Sequence, residues 1–382
     1  MDTSQRGTPD FILLFLTFLL VGFGIVMVFS SSSPIASFYL QDALYYTKKQ
    51  VLFAIVGLVV MFFVMNMRIE KLKKWIVPVN FMIIIMLFMV LFTEPINGAK
   101  SWIPLGSFGT IQPSEFAKIG IILYIAALIC KKGDQFRNFK TGLLPVLTII
   151  AFISLLILIQ PDIGTAAILI FGTMLVVFVG GANLKHLLGI FAIFSGLMTL
   201  FLLILTNIEI TSGPINERLS RFTSYQDPWA DPLGGGYHII QSLYAFGHGG
   251  MTGAGFGQSI QKLFYLPFAY NDFIFSIIGE ELGFIGSTLF IITYLLLLWR
   301  GLVISIKSPE MFGTLVGTGI VGILAIQALI NIGGVTNAIP ITGVPLPFIS
   351  QGGSSLITSL ISVGILLSIS RENNRLAKLE KK

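Results

Sequence analysis

The chain has 382 residues, 54% of them hydrophobic and only 11% charged, with a formal net charge of +6. Ordinary soluble domains are about 25% charged, so this composition excludes a soluble globular fold and points to a polytopic membrane protein. The cations gather in short turns such as Arg68, Lys71, Lys73 and Lys74 and in the tail, a pattern of membrane topology and headgroup contact rather than nucleic-acid binding.

A helix needs about 17 to 25 apolar residues to cross a bilayer. Blocks of that kind predict about ten transmembrane helices, at 11–29, 51–67, 76–93, 116–130, 143–160, 164–181, 187–206, 272–299, 311–332 and 350–370; the fourth is short enough to be tilted or partly re-entrant. The expected fold is all-α, one integral membrane domain over 1–382. It has one large extracytoplasmic loop, 207–271, between helices seven and eight, a Pro-rich outer loop at 333–349 and a basic cytoplasmic tail at 371–382. The polar start carries no cleavage site close behind its apolar block, so the first helix is expected to remain as an anchor. Lys and Arg concentrate on the side of the termini, which places both termini in the cytoplasm.

In chain order, Ser30 to Ser33 followed by Pro34 reads as the exit of the first span into an outer loop that reaches Lys48 and Lys49. These lysines either snorkel at the interface or face an anionic ligand. The next outer loop carries Lys100 and leads into Gln112-Pro-Ser-Glu-Phe-Ala-Lys118. There Ser114 can cap the helix or leave that role to the Pro113 region, and Glu115 and Lys118 share one face and can pair. Ionisable side chains entering a membrane span serve either architecture or a substrate or partner. In the turn Gln160-Pro-Asp-Ile-Gly-Thr165, Asp162 is placed to cap the sixth span.

The large loop contains Arg218 and Arg221, a stretch from Tyr237 to Phe246 with one apolar side, and a glycine-rich run from Gly247 to Gly257. The Tyr237 stretch predicts a short interfacial helix. No strand precedes the glycines, which excludes a dinucleotide fold; they serve tight turns or close approach to a ligand. Lys262 and Asp272 follow. A carboxylate carried to the bilayer centre costs about 2.5 to 3.5 kcal/mol, so Asp272 at the mouth of an apolar helix asks for a reason. Ser276, Gly279 and Gly283 lie near its azimuth and form a small-residue groove. Glu280 and Glu281 lie about two turns deeper, where at least one must face protein or water.

The last outer loop runs from Asn337 to Ser355 without a charge and holds Pro340, Pro345, Pro347, Thr342, Ser350 and Ser354. Such backbone must line a cavity or a wet mouth, because its amides and carbonyls need partners. Cys130 is the only cysteine, which excludes an internal disulfide, and His186, His238 and His248 show no zinc-ligand spacing.

At Gly98-Ala-Lys-Ser-Trp-Ile103, Gln112 to Lys118, Gln160 to Thr165, Asp272 to Gly283 and Pro340 to Ser355, the chain resembles the SEDS family (shape, elongation, division and sporulation). The resemblance implies a peptidoglycan glycan-strand polymerase of the bacterial plasma membrane. Such an enzyme uses lipid II on the outer face and releases undecaprenyl pyrophosphate, with a class B penicillin-binding protein as transpeptidase partner. The family's essential aspartate falls on Asp272, and Glu115 and Lys118 fall on positions tied to activity and partner coupling. The chain departs from the family pattern at Tyr270-Asn271, where His-Thr is common, at Asn337, where glycine is usual, and at Gln351, where tyrosine is usual.

Forming a β-linkage from an α-linked sugar pyrophosphate inverts the anomeric centre and calls for a base opposite the leaving group. Asp272 is the candidate base. Lys48, Lys49, Lys100, Arg218, Arg221 and Lys262 are candidates to meet the pyrophosphate, alone or with a divalent cation such as Mg or Mn. Two other readings compete: a lipid II flippase or transporter, for which Glu280 and Glu281 speak because they lie deeper, and a scaffold that only recruits the transpeptidase.

Overall fold

The computed structural model describes residues 7–95, 100–104, 106, 109–192, 196 and 225–380. Ten α-helices can be bounded in them: α1 (Phe11–Leu40), α2 (Tyr45–Met65), α3 (Ile69–Met89), α4 (Pro113–Lys132), α5 (Leu144–Ile159), α6 (Ile163–Val179), α7 (Tyr237–Gly249), α8 (Ile274–Ile306), α9 (Met311–Val335) and α10 (Gly353–Glu380). One small antiparallel ribbon, β1 (Ile103–Pro104) with β2 (Thr110–Ile111), pairs Ile103 with Ile111 before α4.

Among the described residues, eight helices are long and apolar enough to cross a membrane, and α6 is a shorter apolar helix. The expected seventh span begins as a helix at 184–192; the rest of it, apart from residue 196, and Arg218 and Arg221 lie outside the described residues. The chain is therefore a multi-pass helical membrane protein.

Burial separates an inner from an outer set. The most apolar windows of α4, α9 and α10 are 72%, 72% and 83% buried, whereas that of α3 is 22% buried and turns its side chains to lipid. Small residues allow the close approach: a Cβ on Gly57 of α2 would stand 2.5 Å from Leu360 of α10, and one on Gly364 would stand 2.8 Å from the Met61 carbonyl. Without a hydrophobic drive between helices in lipid, such contact is the main source of association.

Side-chain pairs close the end that holds the termini. Arg300 forks onto Asp10 at 2.6 and 2.9 Å, Lys73 meets Glu310 at 2.8 Å, and Arg371 donates to the Gly7 carbonyl. Asp10 also caps α1 through the Leu13 amide. Because Arg300 sits near the last turns of the 33-residue α8, the start of α8, beside Asp272, belongs to the opposite end.

One sequence expectation needs correction. The serine run is not an exit: α1 continues through Ser30, Ser31, Ser32 and Pro34 to Leu40, and the three serines are buried. Ser31 donates to the Met27 carbonyl one turn back and Ser30 donates to Glu281, so these two hydroxyls, which read as a loop signal, are satisfied inside the bundle. The helix of the last span, α10, continues through the basic tail to Glu380. The Tyr237 helix forms as expected and extends to Gly249.

Candidate active site

Asp272 lies in the turn before α8, where Phe273 rather than Asp272 is the N-cap, and it is half-buried. Its main chain is clamped from α9, since Asn331 Nδ2 donates to the Asp272 carbonyl at 2.8 Å and to the Val344 carbonyl at 2.7 Å. The uncharged loop between α9 and α10 thereby becomes the wall beside the carboxylate. At Gly343 of that loop, φ is +72° and a Cβ would lie 3.5 Å from Asp272 Oδ2, so glycine permits the turn and adds no side chain between the loop and the carboxylate.

The residues before Asp272 are fixed to the same loop. Ser350 Oγ donates to the Asn271 carbonyl at 2.7 Å and accepts from the Leu346 amide, and the Gln351 amide donates to the Tyr270 carbonyl at 3.0 Å. From α2, Gln50 donates to the Ser350 carbonyl and Tyr46 stacks on Tyr270 with centroids 4.5 Å apart. Burial pushes the Tyr270 phenol upward, aided by its hydrogen bond with Tyr46, so it stays neutral at ordinary pH.

A second polar group sits inside the bundle below this rim. Lys118 donates to Glu115 at 2.8 Å and to Gln327 Oε1 at 2.6 Å, and Glu115 also accepts from Thr358. Gln327 Nε2 in turn donates to the Pro345 carbonyl at 2.9 Å. The α4 pair therefore reaches the loop that faces Asp272. Ser114 does not cap α4; Gln112 is the N-cap and Pro113 takes the first helical position, where its missing N–H costs nothing. Asp162 caps α6 through the Thr165 amide and accepts from Gln112 Nε2 at 3.0 Å, while the Gln112 amide donates to Ser354. Burial raises the Asp162 carboxyl above its usual range, and the Thr165 amide only partly offsets this.

Glu280 and Glu281 are 0% and 1% exposed. Glu280 accepts from Ser259 Oγ and from the Ile260 amide and hydrogen-bonds His248. Glu281 pairs with Lys262 at 2.7 Å and accepts from Ser30 at 2.6 Å. Beside them α8 breaks at Gly283, with φ 65° and ψ −167°. The glycine-rich run fills the break: Ala254 and Gly255 amides donate to the Glu280 and Glu281 carbonyls, and Phe284 and Ile285 amides donate to Gly250 and Met251. The small-residue groove on α8 is likewise occupied by α7. Ser276 meets Ser242 at 2.7 Å, and a Cβ on Gly279 would stand 2.4 Å from the Phe246 ring.

The remaining cations are dispersed. Lys48 pairs with Asp42, Lys49 lies over the Tyr45 ring and donates to its hydroxyl at 2.7 Å, and Lys100 is exposed. Lys262 is buried against Glu281. Thr342 is half-buried against Gly164 at the start of α6. Among the described residues, no group of three or more His, Cys, Asp or Glu side chains is arranged to hold a metal.

The family model of the FtsW, RodA and SpoVE cell cycle proteins matches residues 11–375. The chain belongs to the SEDS family. It is 42% identical over 374 residues to stage V sporulation protein E of Bacillus subtilis, covering 97% of this chain and 99% of that protein. It is 41% identical over 364 residues to a probable peptidoglycan glycosyltransferase FtsW of Trichlorobacter lovleyi, covering 94% and 93%. Among solved structures, it matches a chain of a peptidoglycan synthase complex described as coordinating polymerization and crosslinking, with a TM-score of 0.74 and 30% identity over 96% of this chain and 98% of that one. RodA of Thermus thermophilus matches with a TM-score of 0.67 and 28% identity, over 96% and 97% of the two chains.

In this SEDS chain, Asp272, Thr342, Ser350 and Ser354 gather around one loop, with Glu115, Lys118 and Asp162 connected to it from below. Glu280, Glu281 and Lys262 form a separate buried cluster. Two residues that sequence reading passed over join the first group, Gln327 and Asn331. Their signal was present: two amides four residues apart in an otherwise apolar helix lie on one face, and polar groups inside a membrane span face protein rather than lipid.

Proposed function

We propose that the chain is a peptidoglycan glycan-strand polymerase that takes lipid II on the outer face of the bacterial plasma membrane, with its termini in the cytoplasm. In the reaction the hydroxyl of one sugar attacks the anomeric carbon of another from the face opposite the pyrophosphate. A new C–O bond forms, the anomeric C–O bond to the pyrophosphate breaks, and undecaprenyl pyrophosphate leaves. Asp272 receives the hydroxyl proton as general base, a contribution of about 10²- to 10⁴-fold in rate. The observation that carries this reading is the half-buried Asp272 carboxylate at the end of the bundle, with its main chain held by Asn331 and a glycine beside its Oδ2.

A penicillin-binding transpeptidase would supply crosslinking beside it. Lys49 and Lys100 are the described cations of the outer loops that are not engaged with a carboxylate in a salt bridge, and they are the candidates to meet the pyrophosphate. The transporter reading loses its main support, because Glu280 and Glu281 are bonded to Ser259, Ile260, Lys262 and Ser30 rather than facing a passage.

The test is Asp272→Asn protein, purified with any partner the wild type requires and supplied with labelled lipid II. It should elute like the wild type and make no detectable polymer. Polymer at the wild-type rate would rule out the base assignment, and absence of polymer from the wild type with every partner tried would favour transport or scaffolding.

A further inference from the structure

We infer that Asn331 is a positioning residue for Asp272, and that it sets the distance between the carboxylate and the loop wall opposite. The inference rests on the proposed role of Asp272 as base. One nitrogen does the work: Nδ2 has two protons, and they go to the carbonyls of Asp272 at 2.8 Å and Val344 at 2.7 Å. Val344 is the neighbour of Gly343, whose Cβ position lies 3.5 Å from Asp272 Oδ2. The two segments that bound the reactive carboxylate are thus joined through a single planar amide on α9, a packed helix whose apolar window is 72% buried.

Neither segment is held at that point by a helix or a ribbon of its own. Asp272 lies before the first residue of α8, and Val344 lies in the loop between α9 and α10. Outside regular structure, the carbonyls of such segments need other partners, and the Asn331 side chain, 4% exposed, supplies one to each. A buried amide is suited to the task because it brings two donors in one plane without a charge that would compete for the carboxylate.

Gln327, one turn earlier on α9, extends the arrangement. It donates to the Pro345 carbonyl, the next residue of the loop, and accepts from Lys118, which is paired with Glu115. The Glu115–Lys118 pair is therefore connected to this loop through Gln327, and a shift of α4 would be felt beside the carboxylate as a shift of Pro345 and its neighbour Val344. A misplacement of about 1 Å at a reacting group is worth on the order of 10²-fold in rate.

The experiment measures glycan polymerisation per folded molecule for Asn331→Ala, Asn331→Asp and Gln327→Glu, with Ser242→Ala as the control. Ser242 also donates to an α9 carbonyl, that of Val335, at 2.5 Å, so its loss removes a comparable buried bond away from Asp272. Asn331→Ala should lower kcat about 10- to 100-fold, which is about 1.4 to 2.7 kcal/mol at 1.36 kcal/mol per tenfold, with KM for lipid II within about 3-fold and the acid limb of the kcat profile displaced. Asn331→Asp, which keeps the volume and turns an oxygen toward a carbonyl, should lose at least as much. Gln327→Glu, which keeps the acceptor for Lys118 and loses the donor to Pro345, should lose about 3- to 10-fold.

The inference is overturned if Asn331→Ala retains kcat within about 3-fold of Ser242→Ala with an unmoved acid limb, or if its whole loss appears in KM. Should the Ala protein not fold, the isosteric Asp protein decides by the same two readouts. An inactive Asp272→Asn protein beside a normal Asn331→Ala protein defeats only the positioning role. An active Asp272→Asn protein defeats the base assignment itself.

Discussion

The acids of one helix and the turn before it live in opposite conditions. Glu280 and Glu281 are sealed in the bundle, Glu280 accepting from Ser259 and the Ile260 amide and Glu281 accepting through Oε1 from Ser30 and Lys262. Asp272, fewer than ten residues earlier, is half-buried at the bundle end, and Asn331 holds its main-chain carbonyl. A buried carboxylate whose lone pairs meet protein donors is architecture, because moving a proton onto it would break the bonds that justify its burial. A half-buried carboxylate at the end of the bundle, unlike a sealed one, can be met by a substrate hydroxyl. The comparison assigns chemistry to the rim and cohesion to the buried pair, and the two should respond to substitution in opposite ways.

Asp272→Asn should abolish polymerisation while leaving the thermal unfolding midpoint in detergent near that of the wild type. Lys262→Met should do the reverse at the level of the fold. It strands Glu281 without its cation, and breaking a buried pair from one side costs about 3 to 5 kcal/mol. The expected readout is a large drop in unfolding midpoint and in yield of folded protein, much of it regained when Glu281→Gln is added. A drop no larger than that from breaking the exposed Lys73–Glu310 pair, worth about 0.2 to 1 kcal/mol, would erase the distinction between the two regions.

Much of this was legible in the sequence, for a physical reason: a helix that crosses a membrane needs an apolar block, and α2, α3, α5 and α9 are such blocks. The Glu115–Lys118 pair and the Asp162 cap were legible because each is local, set by three-residue spacing on a helix. The serines of α1 were not. Ser30 is a partner of Glu281, 251 residues away, and no local pattern separates a hydroxyl that ends a helix from one that faces a distant acid. Spacing puts Asn331 and Gln327 on one face of α9 but does not give the partners of Asn331, which lie in the α9–α10 loop and before α8. The glycines of 249–255 divided between turns and ligand approach on sequence grounds; in the structure they close against the opened backbone of α8.

That closure offers a smaller perturbation of the buried region. Gly283 has φ +65° and ψ −167°, and a Cβ there would stand 2.2 Å from the Gly253 amide nitrogen. The backbone conformation is confined to glycine and costs about 1 to 3 kcal/mol for another residue. The atom it meets is main chain and cannot rotate aside. Gly283→Ala should lower the unfolding midpoint less than Lys262→Met does and expose the 250–257 run to protease. An unchanged midpoint and digestion pattern would show that this run is not held by the break in α8.

The smallest expected effect concerns Asp162, which belongs to neither extreme: it caps α6 from a turn that is connected to the rim through Gln112 and Ser354. Burial raises its carboxyl above 3.8, with the Thr165 amide opposing. A folded-state value above the unfolded one means that the folded protein holds this proton more tightly. The associated stability is fully present below the unfolded value and is lost as pH rises through the folded one, after which the carboxylate is charged in both states and the penalty is constant. Asn is as good a cap as Asp and does not titrate. Asp162→Asn should therefore flatten the fall in unfolding midpoint over the window above pH 3.8, and equal slopes for the two proteins would show that the cap's hydrogen bonds, rather than its burial, govern its charge.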